Sequence, residues 1–493
     1  MNDLTITLDT MSKIPMYEQI YQYIKQDIQK GNLVLGQRLP SSRKLAKYLE
    51  ISRSTVELAY EQLTSEGYVE AIPCKGIYVA KVEELYKLNN LSAQQSTEEF
   101  IQNVQLEQRM DYSDLEMKTN KQYQFDFTPN GIDSRCFPYN TWRKITKNTL
   151  LENEQELFLL GNPQGEYQFR VTICKYLHQA RGMNCRPEDI IIGAGNEYLL
   201  MLLSIIMGQK RSIAFENPSY ERAYSIFHNL SHDVYAVNMD KKGMRVDELE
   251  ALGVDLAYVM PSHQFPMGVV MPINRRMELL QWAAAKENRY IIEDDYDSEF
   301  RYKGKPIPAL QGVDQQDKVI YLGTFSKSIA PAIRMSYMVL PKVLMRQYQS
   351  KCQTVSSTVS KIDQMIVNAY IEGGYYERHL NKSRAMYKSK HDVLIQMLKP
   401  IIATGMVKIW GENAGVHILL DWDARIEEEH LITLAEEVDV KVYGLSKFYR
   451  GKPAHRHHII MLGYAKLSEV EIQEAVTLLV TAWLPYIEQV KQS

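Results

Sequence analysis

The chain has 493 residues, which is too long for one ordinary hydrophobic core, so two or more domains are expected. Hydrophobic residues make up 45% and charged residues 24%, with no run long enough for a membrane span, so we expect no membrane association and a cytoplasmic location. Five scattered cysteines without CxxC spacing argue against a disulfide framework and a zinc site, and we predict no bound metal. A net charge of −3 argues against wholesale coating of nucleic acid.

Composition divides the chain into three regions. Residues 1–81 show dense helical patterning that ends in a Gly-containing hairpin. Residues 82–123 are rich in Gln, Glu, Asn and Ser and have too little apolar surface for a core, so we predict a polar linker. From residue 124 to residue 493, short β-rich runs alternate with longer helical stretches, which predicts an α/β domain built of βαβ units around a mostly parallel sheet.

The amino-terminal block predicts three helices and a hairpin. Apolar spacing places the first helix at residues 15–30, and serines precede a second helix at 43–49 and a third that begins after Ser52. Two short strands follow at 69–72 and 77–80, around a turn that contains glycine. Together these elements make a winged helix-turn-helix of the α+β class.

The start of the third helix carries the residues suited to reading DNA. Arg53 can bind guanine bidentately, while Ser54 and Thr55 can hold phosphates at the helix N-terminus. Charge alone would equally fit a helical protein-interaction module. The run GQRLPSSRKLAKYLEISRSTVELAYEQLTSEGYVEAIPCKGIYV, however, closely resembles the GntR family across nearly all of residues 10–80. The resemblance implies a double-stranded DNA operator as partner, contacted through Arg43, Ser52, Arg53, Ser54, Thr55, Lys75 and Gly76.

The strongest chemical signal in the large domain is the run GTFSK, which places Lys327 at a predicted strand end. Its amine can form a Schiff base with an aldehyde cofactor. Thr324, Ser326 and the Arg334 guanidinium, seven residues after the lysine, can bind a phosphate. Alone, a lysine among hydroxyls is more often a surface residue, so this motif needs support from elsewhere in the chain.

Three further motifs supply that support. Asp294, in the run IIEDDY, can keep a pyridine nitrogen protonated, and Tyr296 can bond the phenolic oxygen of the ring. A Gly-rich turn leads into Asn196 and Glu197, whose backbone N–H groups open a helix and can bind phosphate. Tyr220, after another strand, can stack on a flat ring, although each motif by itself also fits an ordinary turn or core position.

In this order the motifs resemble the fold-type I aminotransferases over residues 125–485. The run GNPQG followed by Arg170 matches a further signature of that family. The resemblance implies pyridoxal 5'-phosphate (PLP) as cofactor and a homodimer whose sites are completed by both subunits. It assigns the cofactor to Lys327, Asp294, Tyr296, Tyr220, Asn196, Glu197, Thr324, Ser326 and Arg334, with Lys327 as the catalytic residue.

A GntR-type reader joined to such a domain resembles the MocR/GabR subfamily of regulators, and the runs PSHQFPMG and EDDYDSEFRY fit it. Two positions depart from the aminotransferase pattern. Phe265 replaces the asparagine that contacts the ring oxygen, and Met461 replaces the arginine that grips a substrate carboxylate. A carboxylate ligand then needs another cation, and the candidates are Arg222, Arg450 and Arg456.

These features predict a transcription regulator that senses a small amino-acid effector. The best candidate is γ-aminobutyrate, and the predicted signal is formation of an external aldimine that displaces Lys327 from PLP. The main alternative is an active aminotransferase with an accessory DNA-binding domain. A third reading, a PLP-free dimerisation scaffold, is disfavoured because a scaffold does not need Lys327, Asp294, Tyr296 and Arg334 together.

Overall fold

A computed structural model gives the fold, and the chain divides into two compact units between residues 121 and 122. The structure describes residues 6, 8–9, 12, 14–73, 75–80, 122–129, 131–152, 155–302, 307–352, 354–411, 414–450 and 458–492. The predicted linker, residues 82–123, lies outside these ranges except for its last two residues. The proposed domain limits at 81 and 124 therefore stay predictions.

The amino-terminal unit is a three-helix winged helix-turn-helix. Its helices are α1 (Met16–Gln29), α2 (Ser42–Leu49) and α3 (Arg53–Ser65), and its wing pairs β1 (Val69–Ile72) antiparallel to β2 (Gly76–Val79). Serine side chains accept hydrogen bonds from the first turns of α2 and α3, as N-caps do. The buried faces of the helices close on one apolar core, so the predicted elements and fold class are confirmed.

The second unit combines a large α/β sheet with a smaller carboxyl-terminal layer. Its helices are α4 (Tyr139–Glu152), α5 (Tyr167–Arg181), α6 (Asn196–Met207), α7 (Glu221–Asn229), α8 (Val246–Leu252), α9 (Ile273–Ala284), α10 (Lys342–Lys351), α11 (Lys361–Glu372), α12 (Tyr375–Met397), α13 (Lys399–Ile402), α14 (Glu428–Glu437) and α15 (Glu469–Gln492). Its strands are β3 (Phe125–Asp126), β4 (Ile190–Gly193), β5 (Ser212–Asn217), β6 (Asp233–Asp240), β7 (Gly243–Met244), β8 (Leu256–Val259), β9 (Tyr290–Asp295), β10 (Val319–Thr324), β11 (Ser336–Val339), β12 (Val407–Trp410), β13 (His417–Trp422), β14 (Val440–Lys441), β15 (Tyr443–Gly444) and β16 (Ile459–Gly463).

The large sheet has the order β4-β11-β10-β9-β8-β5-β6-β7. Strands β10, β9, β8, β5 and β6 are parallel, while β11 runs antiparallel to both of its neighbours and β7 runs antiparallel to β6. Parallel strands present their carboxyl ends at one edge, where open α/β sheets bind ligands. The predicted mostly parallel sheet is confirmed, and this edge is where the site residues must meet.

Both faces of this sheet are buried, because alternate strand residues enter different cores. Ile191, Ile292 and Ile320 pack in a core with α6, whereas their chain neighbours Ile190 and Ile291 pack on the opposite face. Strands buried on both faces read as continuous apolar runs, which explains why the sequence shows them so clearly. The smaller layer is a sheet of order β12-β13-β16-β15, with α12, α14 and α15 packed in its core.

In the part of the chain that the structure describes, no helix combines the length and apolarity needed to cross a bilayer. The same residues hold no cluster of three or more His, Cys, Asp or Glu side chains placed to ligate a metal ion.

Candidate cofactor site

One cavity brings together every residue predicted to bind the cofactor. It has a volume of about 330 Å³, within the range of small-molecule sites. Its lining includes all nine predicted residues, which are Lys327, Asp294, Tyr296, Tyr220, Asn196, Glu197, Thr324, Ser326 and Arg334. They come from the carboxyl ends of β4, β5, β9 and β10 and from the turns that follow these strands, so the sheet topology assembles the site.

Lys327 follows the end of β10 by three residues and lies beside Tyr296. Its Nζ is 5.5 Å from the centroid of the Tyr296 ring. Burial lowers the pKa of Lys327 to about 8, against the opposing effect of the Asp297 and Asp294 carboxylates. A larger fraction of Lys327 is therefore in the neutral amine form near pH 7, and the neutral amine is the form that attacks an aldehyde.

The three consecutive acids at the end of β9 have three different environments. Asp295 forms a buried ion pair with Arg181 at 2.8 Å, and Glu293 accepts a hydrogen bond of 2.7 Å from the backbone N–H of Leu310. Asp294, pointing to the other face between them, lines the cavity. Strand alternation thus selects Asp294 as the acid that faces a ligand.

Asp294 is a buried carboxyl group suited to a cationic partner. Its Oδ1 accepts a 3.2 Å hydrogen bond from Asn196 Nδ2, and its Oδ2 accepts from the Tyr258 hydroxyl. Burial raises the pKa of Asp294 to about 7. A protonated pyridine nitrogen would supply the charge that favours its ionised form. Tyr258 was not predicted, since a tyrosine in a buried strand carries no distinguishing signal in the sequence.

The opposite part of the lining suits a phosphate. Ser326 Oγ is buried and has no hydrogen-bond partner among the described residues, while Thr324 Oγ1 accepts from the Ser326 N–H at 3.1 Å. Helix α6 begins after Gly195, which gives its first-turn N–H groups no side-chain cap. Gly195 has φ +95°, and a Cβ there would lie 2.4 Å from Arg334 Nη2. An orphaned hydroxyl, a helix N-terminus and a guanidinium held against glycine fit a phosphate group.

The Glu197 side chain adds a feature that the sequence did not indicate. Its carboxylate lies 2.7 Å from Arg334 Nη2 and 3.4 Å from Arg222 Nη1. Burial alone would raise the pKa of Glu197, but hydrogen bonds from the arginines leave it lowered. We predicted a role only for the Glu197 backbone; its carboxylate also holds two arginines of the cavity.

Phe265, where aminotransferases have asparagine, forms an apolar part of the lining. Its ring is edge-on to Tyr220 at 6.0 Å and to Tyr296 at 6.1 Å. The Tyr296 hydroxyl has two partners behind the cavity lining: it hydrogen-bonds Asp297, and His263 Nδ1 lies 3.1 Å away. His263 was missed, although it stands in the PSHQFPMG run, because only the fold brings that run against β9.

The three candidate effector arginines have different positions. Arg222 lines the cavity, and its side chain is 68% exposed. Arg450 does not line it: its guanidinium pairs with Glu221 at 3.2 Å and covers the Tyr224 ring at 4.5 Å. Arg456 lies outside the described residues. Met461 is fully buried in β16.

The predicted DNA-binding residues lie around α2, α3 and the wing. Ser52 caps α3, and its Oγ lies 2.9 Å from Ser54 Oγ and 2.7 Å from Thr55 Oγ1. Arg53 is exposed and paired with Glu57 at 2.8 Å. Gly76 has φ +118° and begins β2 beside Arg38. Arg43 is exposed on α2 and Lys75 is exposed in the wing turn.

Comparison with known proteins agrees with this architecture. Residues 16–79 match the family of bacterial regulatory proteins called the gntR family, and residues 133–479 match aminotransferase class I and II. The HTH-type transcriptional regulator YhdI of Bacillus subtilis is 40% identical over 98% of this chain and 99% of its own length. The probable rhizopine catabolism regulatory protein MocR of Rhizobium meliloti is 27% identical over 97% of this chain and 96% of its own length.

A solved structure resembles the large domain. The kynurenine aminotransferase of Pyrococcus horikoshii, determined in complex with PMP, superposes with a TM-score of 0.65 at 25% identity, covering 77% of this chain and 93% of that chain. The amino-terminal unit, the fold of the large domain and the full-length relatives agree with one another. The chain belongs to the aminotransferase class I and II family and, within the GntR-type transcription regulators, to the MocR/GabR subfamily, whose members are PLP-dependent, aminotransferase-like regulators.

Proposed function

We propose that this regulator holds PLP on Lys327 and responds to a small amino acid, with γ-aminobutyrate as the first candidate. The observation that carries the proposal is the single cavity lined by all nine predicted cofactor residues. PLP, when bound there, supplies an aldehyde carbon at which an incoming primary amine can replace the lysine. The remaining steps depend on what the residues of the chain bind and orient.

Each part of the lining has a role in this proposal. Lys327 would hold the cofactor, and its lowered pKa favours the neutral amine that bonds an aldehyde. Asp294 keeps a proton on the ring nitrogen, and Tyr220 packs against the ring face. Thr324, Ser326, Arg334 and the amino end of α6 hold the phosphate.

Arg222 is the described arginine that we assign to the carboxylate of the effector. It lines the cavity and remains largely exposed, whereas Arg450 is committed to Glu221 and Tyr224 outside the lining. A guanidinium binds a carboxylate bidentately, and the weak 3.4 Å contact with Glu197 is exchangeable.

The response reaches DNA through a homodimer in this proposal. Phe158, Leu159 and Leu160 form a consecutive apolar run with exposures of 73%, 64% and 88%. Such a run on a folded surface marks a protein interface. We assign it to a second copy of the chain, so that paired winged helices contact a repeated operator through Arg43, Arg53 and Lys75. The effector changes DNA binding only if it prefers one arrangement of the dimer.

An active aminotransferase is the competing function, favoured by the intact set of Lys327, Asp294 and Arg334 in the cavity. Phe265 and Met461 oppose it, since both replace groups that aminotransferases use on the ring and the substrate.

The deciding experiment is a visible absorption titration of the purified chain with γ-aminobutyrate, with other small amino acids as controls. We expect a PLP band that shifts with one amine and persists. The Lys327→Ala variant should lose the wild-type band, and Lys342→Ala, a change at an exposed lysine, should keep it. A band that decays and recovers with a keto acid would establish the aminotransferase instead. No band after addition of PLP would refute the cofactor assignment.

A further inference from the structure

A buried histidine–carboxylate pair adjoins Tyr296. His263 Nδ1 lies 2.8 Å from Asp297 Oδ2, and the two side chains are 3% and 2% exposed. The same nitrogen lies 3.1 Å from the Tyr296 hydroxyl. Tyr296 lines the cavity, but His263 and Asp297 do not, so the hydrogen-bonded route from His263 to a ligand runs through the tyrosine. Asp297 also interacts electrostatically with Lys327, another residue of the lining.

Two glycines make the space that the imidazole occupies. Gly415 has φ +78°, and a Cβ there would lie 2.2 Å from His263 Cε1. Gly268 has φ +67°, and its Cβ would lie 3.4 Å from His263 Nε2. A side chain at Gly415 would therefore overlap the ring, whereas one at Gly268 would only touch it, so Gly415 is the glycine that the position of the imidazole requires.

The contacts determine which hydrogen bonds the imidazole makes. A carboxylate accepts but cannot donate, so Asp297 places the imidazole proton on Nδ1. The same N–H also faces a lone pair of the Tyr296 oxygen. The Tyr296 hydroxyl also hydrogen-bonds the Asp297 carboxylate, which can only accept its hydrogen. A ring oxygen in the cavity would therefore compete with Asp297 for that hydrogen, while the tyrosine oxygen still accepts from His263.

Other polar and titratable groups also face the His263–Asp297 pair. They are Tyr296, His417, Lys327, Asp294, Arg181 and Arg301. His417 has its ring centroid 5.7 Å from that of His263, and its Nε2 is 3.0 Å from the Pro266 carbonyl. Phe265, in place of the asparagine of the aminotransferases, offers no polar atom to the ring oxygen.

We propose that His263, held by Asp297, is a positioning residue that directs the Tyr296 hydroxyl toward the ring oxygen of the cofactor. It thereby strengthens the one remaining side-chain contact that we assign to the ring oxygen, since Phe265 replaces the asparagine that contacts this oxygen in aminotransferases. This inference rests on the proposed binding of PLP at Lys327. It predicts that changes at His263 act through Tyr296 and not through contact with the cofactor.

The test is a pH titration of the visible band of the PLP-loaded chain. A hydrogen bond to the ring oxygen favours the deprotonated form of the chromophore, so its loss should raise the midpoint. We expect His263→Phe to raise it by about one pH unit, a tenfold change in the acid constant. His263→Gln retains a hydrogen-bond donor, so it should raise the midpoint less than His263→Phe does.

A double-mutant comparison separates positioning from a general packing defect. Tyr296→Phe should raise the midpoint at least as far as His263→Phe, and the double variant should go no further than Tyr296→Phe alone. His232→Asn is the matched control, because His232 is also buried but bonds Ser204 at 2.7 Å and does not line the cavity. Fully additive shifts, or an unshifted His263→Phe midpoint, would overturn the inference.

A second readout needs no cofactor. NMR of the PLP-free chain with isotope-labelled histidine should show the proton of His263 on Nδ1, and Asp297→Asn should remove that preference. A proton on Nε2 in the wild type would overturn the inference even if PLP binds normally. A wild-type chain with no PLP band would overturn both this inference and the proposed function. A normal wild-type band, with a midpoint that the His263 variants leave unchanged, would overturn this inference alone.

Discussion

Arg334 and Glu197 form an ion pair of 2.7 Å in the cavity, although 137 positions separate them in the chain. The cation predicted to bind phosphate is therefore already engaged by a carboxylate. Arg334 has five N–H donors and uses one on Glu197, so it can bind both groups, but the two anions compete for its charge. We infer that Glu197 weakens cofactor binding.

Replacing Glu197 should accordingly tighten PLP binding. Because the Arg334 side chain is 52% exposed, solvent screens the pair and the gain is modest. We expect Glu197→Gln to lower the dissociation constant of PLP about two- to fivefold, measured by absorbance titration. Glu221→Gln, which removes the carboxylate paired with Arg450, should leave the constant unchanged. Weaker binding by Glu197→Gln would show that the carboxylate supports the site.

Arg222 should distinguish effectors that carry a carboxylate. Arg222→Met removes a cation from the cavity lining without changing Lys327. We expect the concentration of γ-aminobutyrate that gives half the spectral shift to rise at least about tenfold, which corresponds to a charge-assisted hydrogen bond. The response to butylamine, which has no carboxylate, should stay within about twofold of wild type. An equal loss for both amines would assign Arg222 to the fold of the site and not to recognition.

Glu216 should make stability fall as pH rises. It is buried, its Oε1 has no hydrogen-bond partner among the described residues, and burial raises its pKa to about 8. Between its unfolded pKa of about 4.3 and about 8, the folded chain keeps a proton that the unfolded chain has lost. The stability from this group is therefore greatest below the unfolded pKa and is lost as pH rises through the folded pKa.

We compare the change in melting temperature that Glu216→Gln causes at pH 8 with the change that it causes at pH 5. We expect the change at pH 8 to be more positive by about 2–4 °C. Thermal unfolding followed by circular dichroism at both pH values measures this difference, and the pH-independent cost of the amide cancels. Glu287→Gln, at an exposed acid, provides the control. An effect of the same size at both pH values would argue that Glu216 is ionised when folded.

A buried ion pair holds the segment that contributes Ile132 to the cavity. Lys390 Nζ lies 2.7 Å from Asp133 Oδ2, with side-chain exposures of 3% and 5%. Lys390→Met leaves the buried carboxylate with Arg135 as its one cationic partner among the described residues, so we expect a loss of about 3 kcal/mol in the free energy of unfolding. Denaturant unfolding measures it. Adding Asp133→Asn should recover part of the loss, and failure to recover any would indicate a packing defect.

Arg53 should govern operator recognition. It is exposed at the start of α3 and restrained by Glu57 at 2.8 Å. With DNA selected by the wild-type chain from a random pool, Arg53→Ala should weaken binding at least about fivefold and relax the base preference. Lys75→Ala should weaken binding to all sequences alike. It should also reduce the slope of the logarithm of the binding constant against the logarithm of the salt concentration by about one. A uniform loss for Arg53→Ala would make it a phosphate contact.

Local patterns in the sequence predicted the elements and the chemical motifs. The serine caps before α2 and α3, the wing strands and the apolar strands of the large sheet follow from hydrogen bonding and periodicity within a few residues. The runs around Lys327 and Asp294 are local in the same sense. These predictions depend on neighbours along the chain, which the sequence displays directly.

Only the tertiary structure decided which side chains meet. Glu197 binds Arg334, Tyr258 binds Asp294, and His263 joins Asp297 because β8, β9, β10 and the turns around them converge at one edge of the sheet. Arg450 and Arg222 look alike as isolated arginines, yet only Arg222 lines the cavity. Long-range pairing depends on strand order and on the alternation of faces, so the sequence determined the cofactor motif while the fold determined its partners.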